Sequence, residues 1–157
     1  MAGGFGTRLS TVVKDVPKPM ANINGKPFLQ SIFKALQQQH IENVILSVGY
    51  KHEIIQDYFQ DNYLGISVKY AIETEPLGTG GAIKHALSLV DDDAFVLNGD
   101  TFFNVDLSTL KNENTDISIA LKPMQNFDRY GTVELNTESR ILSFNEKKQC
   151  ESGLING

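Results

Sequence analysis

The chain has 157 residues and a formal net charge of −5, with 41% hydrophobic and 21% charged residues. This composition is that of a globular domain with its own core; the negative charge argues against nucleic acid as a partner, and no apolar run is long enough to span a membrane. The single cysteine, Cys150, excludes an internal disulfide and fits a reducing compartment, so we expect a cytoplasmic protein with no membrane partner.

The first nine residues form a glycine-rich stretch that is suited to binding phosphates. Gly3, Gly4 and Gly6 let the backbone turn sharply, and successive N–H groups in such a turn form an anion-binding nest. Arg8 and Lys18 add fixed positive charge. The stretch is not a Walker loop, which ends in Gly-Lys-Ser/Thr, nor a dinucleotide fingerprint, which needs a further glycine where this chain has leucine. It therefore predicts a phosphate-binding loop of another kind.

Helices and strands alternate after this loop and predict a doubly wound, mainly parallel α/β sheet. Helical spacing of apolar residues predicts helices at 28–36, 54–59 and 82–90, and Asp106 is predicted to cap a further short helix. Short apolar or alternating runs predict strands at 44–48, 66–72, 95–97, 117–121, 132–135 and 141–144. A glycine phosphate loop normally follows a buried strand, and we expect that first strand to be missing or reduced to a stub.

Two polar turns are predicted at carboxyl ends of strands, where doubly wound sheets bind their ligands. The turn at 73–82 joins a strand to a helix whose N-terminus suits an anion or a base edge. Asp100 follows another strand and offers the kind of oxygen ligand that Mg²⁺ prefers. Read alone, the first also fits a tight turn, and the second also fits a turn or capping aspartate. We expect both to meet the opening loop on one rim of the sheet.

These segments, in this order, resemble the sugar-phosphate nucleotidyltransferase family. The family signature Gly-Gly-x-Gly-Thr-Arg-Leu, followed by Lys-Pro, is present at residues 3–9 and 18–19. The resemblance covers essentially the whole chain and implies one nucleotidyltransferase domain, residues 1–157, with a Rossmann-like, glycosyltransferase-A-like fold. It implies that the chain contains the NTP-binding half and the start of the sugar-binding part, and that it is truncated at both ends. The second metal carboxylate would lie in the missing C-terminal portion.

The resemblance also implies a role for individual residues. The catalytic residues would be Arg8, Lys18 and Asp100, with Asp100 also binding the cofactor Mg²⁺. The nucleotide-binding residues would be Ala2, Gly3, Gly4, Gly6, Thr7, Glu73, Gly78 and Thr79. The sugar-phosphate-binding residues would be Tyr130, Gly131, Glu146, Lys147 and Asn156. Without the resemblance, the run at 146–148 is as well explained as solvated charge.

Within the family, the motifs look most like bacterial heptose 1-phosphate guanylyltransferases and next like mannose 1-phosphate guanylyltransferases. This implies transfer of GMP from GTP to a sugar 1-phosphate, with pyrophosphate released and GDP-heptose or GDP-mannose formed for surface polysaccharide. GTP is favoured because the Glu73 carboxylate only accepts hydrogen bonds, whereas the guanine edge offers two adjacent donors. The alternatives are a thymidylyl- or uridylyltransferase of the same family, a non-catalytic nucleotide-sensing homologue, and an NTP-binding module with phosphatase or kinase chemistry. The resemblance also admits a homo-oligomer.

Overall fold

The computed structural model describes residues 16–111 and 115–156, which divide into two units on either side of the peptide bond between Phe103 and Asn104. Each unit is described by itself. Within the described ranges, no helix combines the length and the apolar character that crossing a membrane requires.

The first unit alternates helices and strands, as the sequence predicts. Its elements are a 3₁₀ turn at Lys18–Met20, β1 Asn22–Ile23, β2 Lys26–Pro27, α1 Phe28–Gln38, β3 Asn43–Val48, α2 His52–Phe59, β4 Asn62–Tyr63, β5 Ile66–Ile72 and α3 Gly78–Leu87. β3 and β5 are parallel and pair in continuous register up to Val48↔Ile72, and β4 pairs antiparallel with β5. The chain crosses from β3 to β5 through α2, which is the crossover that parallel pairing needs.

Aromatic side chains of α1, α2 and β4 form the centre of the core in this unit. Phe33 stacks on Phe59 with 4.7 Å between ring centroids, and Tyr63 packs edge-on against both rings. Both phenylalanines are fully buried. Since burying such a side chain contributes about 1.5–3 kcal/mol relative to leaving it exposed, this cluster holds the two helices in place.

The carboxyl-terminal half of β3 is buried on both faces. Leu46, Ser47 and Val48 are consecutive residues whose side chains point alternately to opposite faces, and none of them is more than 5% exposed. This confirms the predicted buried strand at 44–48. Because the last residues of β3 and β5 are paired, the two strands end together at one edge of the sheet.

The second unit is an antiparallel sheet preceded by a capped 3₁₀ turn. Its elements are the 3₁₀ turn Leu107–Leu110, β6 Lys122–Phe127, β7 Thr132–Leu135, β8 Ile141–Asn145 and β9 Cys150–Ile155, with strand order β6-β9-β7-β8. Asp106 caps the turn as predicted, accepting hydrogen bonds from Ser108 Oγ at 2.7 Å and Ser108 N at 3.0 Å. These bonds lower the pKa of the Asp106 carboxyl.

Two of the predicted strands are wrong, since the structure gives no strand at 95–97 or 117–121. An apolar run supplies strand propensity, but a strand also needs a neighbouring backbone in register. For the strand predicted at 117–121, the available pairing partner is β9. The register of β9 pairs it with residues 122–127, which directly follow the predicted strand. Phe127 is thereby buried, whereas Ile117 is left 79% exposed.

Candidate functional site

Lys18 and Asp100, both predicted as catalytic residues, form an ion pair in the first unit. Lys18 Nζ lies 2.7 Å from Asp100 Oδ2, and both side chains stay more than a third exposed. The backbone of Lys18 is anchored by its neighbours, since Pro17 and Pro19 are buried and the Pro17 carbonyl accepts a hydrogen bond from Met20 N at 2.8 Å. Proline also fixes the backbone angle φ, so Lys18 presents its ammonium group from a rigid turn.

Asp100 is an exposed carboxylate, and carboxylate oxygen is the kind of ligand that Mg²⁺ prefers. Its Oδ2 faces Lys18, and the hydroxyl of Thr101 lies 3.5 Å from its Oδ1. No cluster of three or more His, Cys, Asp or Glu side chains suited to a metal occurs among residues 16–111 and 115–156. Mg²⁺ in nucleotide sites does not require such a cluster, because it is usually held by one or two carboxylates together with waters and substrate phosphates.

Glu73 lies just beyond β5 and is held by three hydrogen bonds. Its backbone N–H donates to the Val48 carbonyl at 2.7 Å. Its Oε1 accepts from Ser47 Oγ at 2.9 Å, and its Oε2 accepts from Leu77 N at 3.3 Å. The carboxylate therefore joins the ends of β3 and β5 to the residue that precedes α3. It stands at the edge where the predicted nucleotide site was expected.

Gly78 and Thr79 begin α3 and are exposed. Gly78 has a φ of +67°, a left-handed conformation that favours glycine. One turn later, a Cβ at Gly81 would lie 2.9 Å from Leu77 Cβ, so this position needs glycine for the loop to pack against the helix. The first N–H groups of a helix have no partner within the helix and favour anions such as phosphate.

In the second unit, the predicted sugar-phosphate residues stand at one edge of the antiparallel sheet. The pairs Thr132↔Asn145 and Val133↔Leu154 place the start of β7 beside the ends of β8 and β9. That edge carries the residues within two positions of these strand ends, namely Tyr130, Gly131, Glu146, Lys147 and Asn156.

Gly131 and Asn156 both make close contacts with neighbouring backbone at this edge. A Cβ at Gly131 would collide with the backbone carbonyl oxygen of Asn145. Asn156 donates a hydrogen bond from Nδ2 to the carbonyl of Ala120 at 3.0 Å. Only glycine allows the turn before β7 to approach β8 this closely, and the approach places the turn directly beside Glu146.

The remaining predicted site residues lie outside the described residues; they are the catalytic Arg8 and the nucleotide-binding Ala2, Gly3, Gly4, Gly6 and Thr7. The sequence did not single out Ser47, although it is the one buried polar side chain in the part of the chain that the structure describes. The available signal was a single serine inside the otherwise apolar run 44–48.

Comparison with known proteins gives consistent matches along the whole chain. The nucleotidyl transferase family model matches residues 1–153. The D-glycero-alpha-D-manno-heptose 1-phosphate guanylyltransferase of Campylobacter jejuni is 57% identical over 157 residues, covering all of this chain and 71% of the relative. The enzyme of the same name from Aneurinibacillus thermoaerophilus is 50% identical, covering all of this chain and 70% of the relative.

A solved structure agrees with the predicted fold class. HddC from Yersinia pseudotuberculosis, in a crystal structure of its complex with GMP-PN, superposes with a TM-score of 0.82 at 38% identity. The match covers 99% of this chain and 71% of HddC. The α/β, Rossmann-like fold predicted from the sequence is confirmed.

Proposed function

The chain belongs to the nucleotidyl transferase family of enzymes, and we propose that it transfers GMP from GTP to D-glycero-α-D-manno-heptose 1-phosphate. Nucleotidyl transfer to a sugar 1-phosphate is the activity that its relatives support. The observation that carries the choice of GTP and of heptose is the 57% identity to the Campylobacter jejuni enzyme over the full 157 residues. The product would be GDP-heptose for surface polysaccharide, with pyrophosphate released.

The reaction needs no nucleophile from the protein, because the attacking group is already an anion. An oxygen of the sugar phosphate forms a bond to the α-phosphorus of GTP while the bond from that phosphorus to the β-phosphate oxygen breaks. The electron pair of the broken bond leaves with pyrophosphate. Catalysis of this kind consists of positioning and of stabilising charge.

In this mechanism Lys18 binds the triphosphate and Arg8 neutralises the departing pyrophosphate. Asp100 would hold Mg²⁺, whose chemistry when bound is to neutralise phosphate oxygens. The ion pair of Lys18 with Asp100 supports these roles, since it brings a cation for phosphate and a carboxylate for metal within 2.7 Å of each other. On triphosphate binding, the ammonium group would donate to phosphate oxygens as well as to Asp100.

Within a single nucleotidyltransferase domain of residues 1–157, the two units would bind different substrates. The first unit would bind the nucleotide through the opening loop, Glu73, Gly78 and Thr79. The second would bind the sugar phosphate at the edge beside Gly131, with Lys147 steering the incoming phosphate. A cytoplasmic location is supported by the single free thiol of Cys150, and a homo-oligomer stays a prediction.

The test is pyrophosphate release from GTP and Mg²⁺, measured with and without heptose 1-phosphate. The proposal expects release only when both substrates are present, in equal amounts with GDP-heptose. GTP binding without release in either case would indicate a nucleotide-sensing homologue. Release of inorganic phosphate without the sugar phosphate would indicate phosphatase chemistry, and formation of GDP with a phosphorylated sugar would indicate kinase chemistry. Any of these results would overturn the proposal.

A further inference from the structure

We propose that Ser47 is a positioning residue for nucleotide binding, because its buried hydroxyl fixes the carboxylate of Glu73 at the edge of the sheet where the nucleotide is expected. This inference rests on the proposed function, in which Glu73 contacts the base. Ser47 itself would touch no substrate. It would act only through Glu73, so its contribution should appear in nucleotide affinity and selectivity.

The burial of Ser47 shows that its hydroxyl is not a surface feature. Only 2% of the residue is exposed, in a strand whose neighbours Leu46 and Val48 are also buried. A hydroxyl buried without a partner costs about 1–3 kcal/mol, so a serine in an apolar strand needs a specific acceptor. That acceptor is Glu73 Oε1, at 2.9 Å from Ser47 Oγ.

The register of the sheet makes this contact possible across 26 residues of sequence. Ser47 pairs with Ala71 in the parallel ladder, and Glu73 lies two residues beyond Ala71. The bond from Glu73 N to the Val48 carbonyl continues the ladder by one step. Both the backbone and the side chain of Glu73 are thus tied to the end of β3.

A second bond fixes the direction of the carboxylate. Leu77 N donates to Glu73 Oε2 at 3.3 Å, and Leu77, which has no polar side chain, directly precedes α3. Glu73 therefore closes the turn at 73–77 and places negative charge at the N-terminus of α3, where the helix dipole favours it. With one oxygen bound by Ser47 and the other by Leu77, the carboxylate cannot rotate without losing a bond.

A carboxylate held in this way is still able to bind a base. An ionised carboxylate offers about four acceptor positions, and the two bonds from Ser47 and Leu77 leave one position on each oxygen. Guanine presents two adjacent donors, the ring N1–H and the exocyclic amino group, which match two carboxylate oxygens. Fixing the carboxylate beforehand removes the ordering cost that a mobile glutamate would add to binding.

The experiment compares Ser47→Ala with Ser67→Ala in the full-length protein. Ser67 is the matched control, because it lies in β5 at the end remote from Glu73 and pairs with Asn43. The parent's preferred triphosphate is established first, and then KM for that triphosphate, KM for the sugar phosphate, kcat and the melting temperature are measured for each variant. The dissociation constant of the triphosphate, measured by calorimetry, gives a readout that does not depend on turnover.

The proposal expects Ser47→Ala to raise KM and the dissociation constant for the triphosphate about three- to tenfold, the effect of losing one hydrogen bond. KM for the sugar phosphate and kcat should change less than about twofold, and Ser67→Ala should match the parent. Ser47→Thr keeps a hydroxyl and should restore nucleotide affinity. In a Glu73→Ala background, Ser47→Ala should have no further effect on nucleotide affinity, because the group that Ser47 positions is absent.

Unchanged nucleotide affinity in a folded Ser47→Ala protein would overturn the proposal. So would an equal loss with and without Glu73, since that would show a general packing role. If the parent prefers a triphosphate other than GTP, the proposed function fails, whereas the role of Ser47 is still decided by the affinity for the triphosphate that the parent binds.

Discussion

Lys18 Nζ and Asp100 Oδ2 lie 2.7 Å apart, although 82 residues separate them in the sequence. Ion pairs as exposed as this one contribute only about 0–1 kcal/mol to stability, so replacing either residue should cost the fold little. In the proposed function, Lys18 binds the triphosphate and Asp100 holds Mg²⁺. The first two predictions separate these roles from a structural one.

Replacing Lys18 with alanine should reduce kcat/KM by about 100-fold or more, because a charged donor to the triphosphate is lost. The free energy of unfolding should change by less than about 1 kcal/mol. The matched control is Lys26→Ala, which removes an exposed lysine from β2. Steady-state kinetics and denaturant unfolding of both variants provide the check. Equal kcat/KM in the two variants would remove Lys18 from the mechanism.

Replacing Asp100 with asparagine should raise the Mg²⁺ concentration needed for half-maximal activity and lower the maximal rate. The substitution keeps the size of the side chain but removes the charge that attracts the cation. Asp57→Asn, on the exposed face of α2, is the control for a general loss of negative charge. Activity is measured across a Mg²⁺ titration. An unchanged titration curve in the Asp100 variant would assign that residue a structural role.

Replacing Gly131 with alanine should destabilise the second unit by about 1–3 kcal/mol, because the new methyl group collides with the Asn145 carbonyl. KM for the sugar phosphate should rise as well, since the turn and Glu146 can no longer approach. Gly80→Ala is the control, because a Cβ there meets nothing within 4 Å and alanine favours a helix by up to about 1 kcal/mol. Denaturant unfolding distinguishes the two, and an unaffected Gly131→Ala protein would mean that this edge is not closely packed.

Glu134 should make the stability of the β7–β8 hairpin depend on pH. Hydrogen bonds from Asn145 Nδ2 at 2.9 Å and then from Ser143 Oγ at 3.0 Å hold the pKa of this carboxyl below its ordinary value of 4.5. A lowered pKa in the folded state means that the carboxylate stabilises the fold above pH 4.5 and that this contribution is lost as the pH falls through the lowered pKa.

The check is the melting temperature of the parent and of Glu134→Gln between pH 3 and 7, a range of about two units around the ordinary carboxyl pKa. The parent should lose more stability than the variant on the acid side, because glutamine cannot be protonated there. Parallel curves for the two proteins would show that Glu134 has no part in the acid sensitivity.

The sequence correctly predicts elements that depend only on residues close together in the chain. The spacing of Leu29, Ile32, Phe33 and Leu36 places an apolar stripe on one face of α1, and all four residues are buried. The capping role of Asp106 likewise depends only on the residues that follow it. Patterns of this kind are fixed by the geometry of the helix itself and need no distant partner.

Features that depend on pairing between distant segments could not be predicted in the same way. β9 was missed because Cys150–Ile155 reads as a polar, glycine-containing stretch. A Cβ at Gly153 would lie 2.8 Å from Thr132 Cγ2, so the contact that favours glycine comes from a neighbour that only the folded sheet supplies. The bond from Ser47 to Glu73 depends in the same way on the parallel register of β3 and β5.

The most direct test of the central claim is a competition assay. The full-length protein, Mg²⁺ and heptose 1-phosphate are incubated with equal concentrations of GTP, ATP, UTP and dTTP. The sugar nucleotides formed are then identified by mass spectrometry. We predict GDP-heptose as the dominant product, with each other nucleotide disfavoured by about 1–3 kcal/mol of lost hydrogen bonding, or roughly five- to 150-fold. A predominant uridine or thymidine product, or no sugar nucleotide at all, would contradict the assignment of this chain as a sugar 1-phosphate guanylyltransferase.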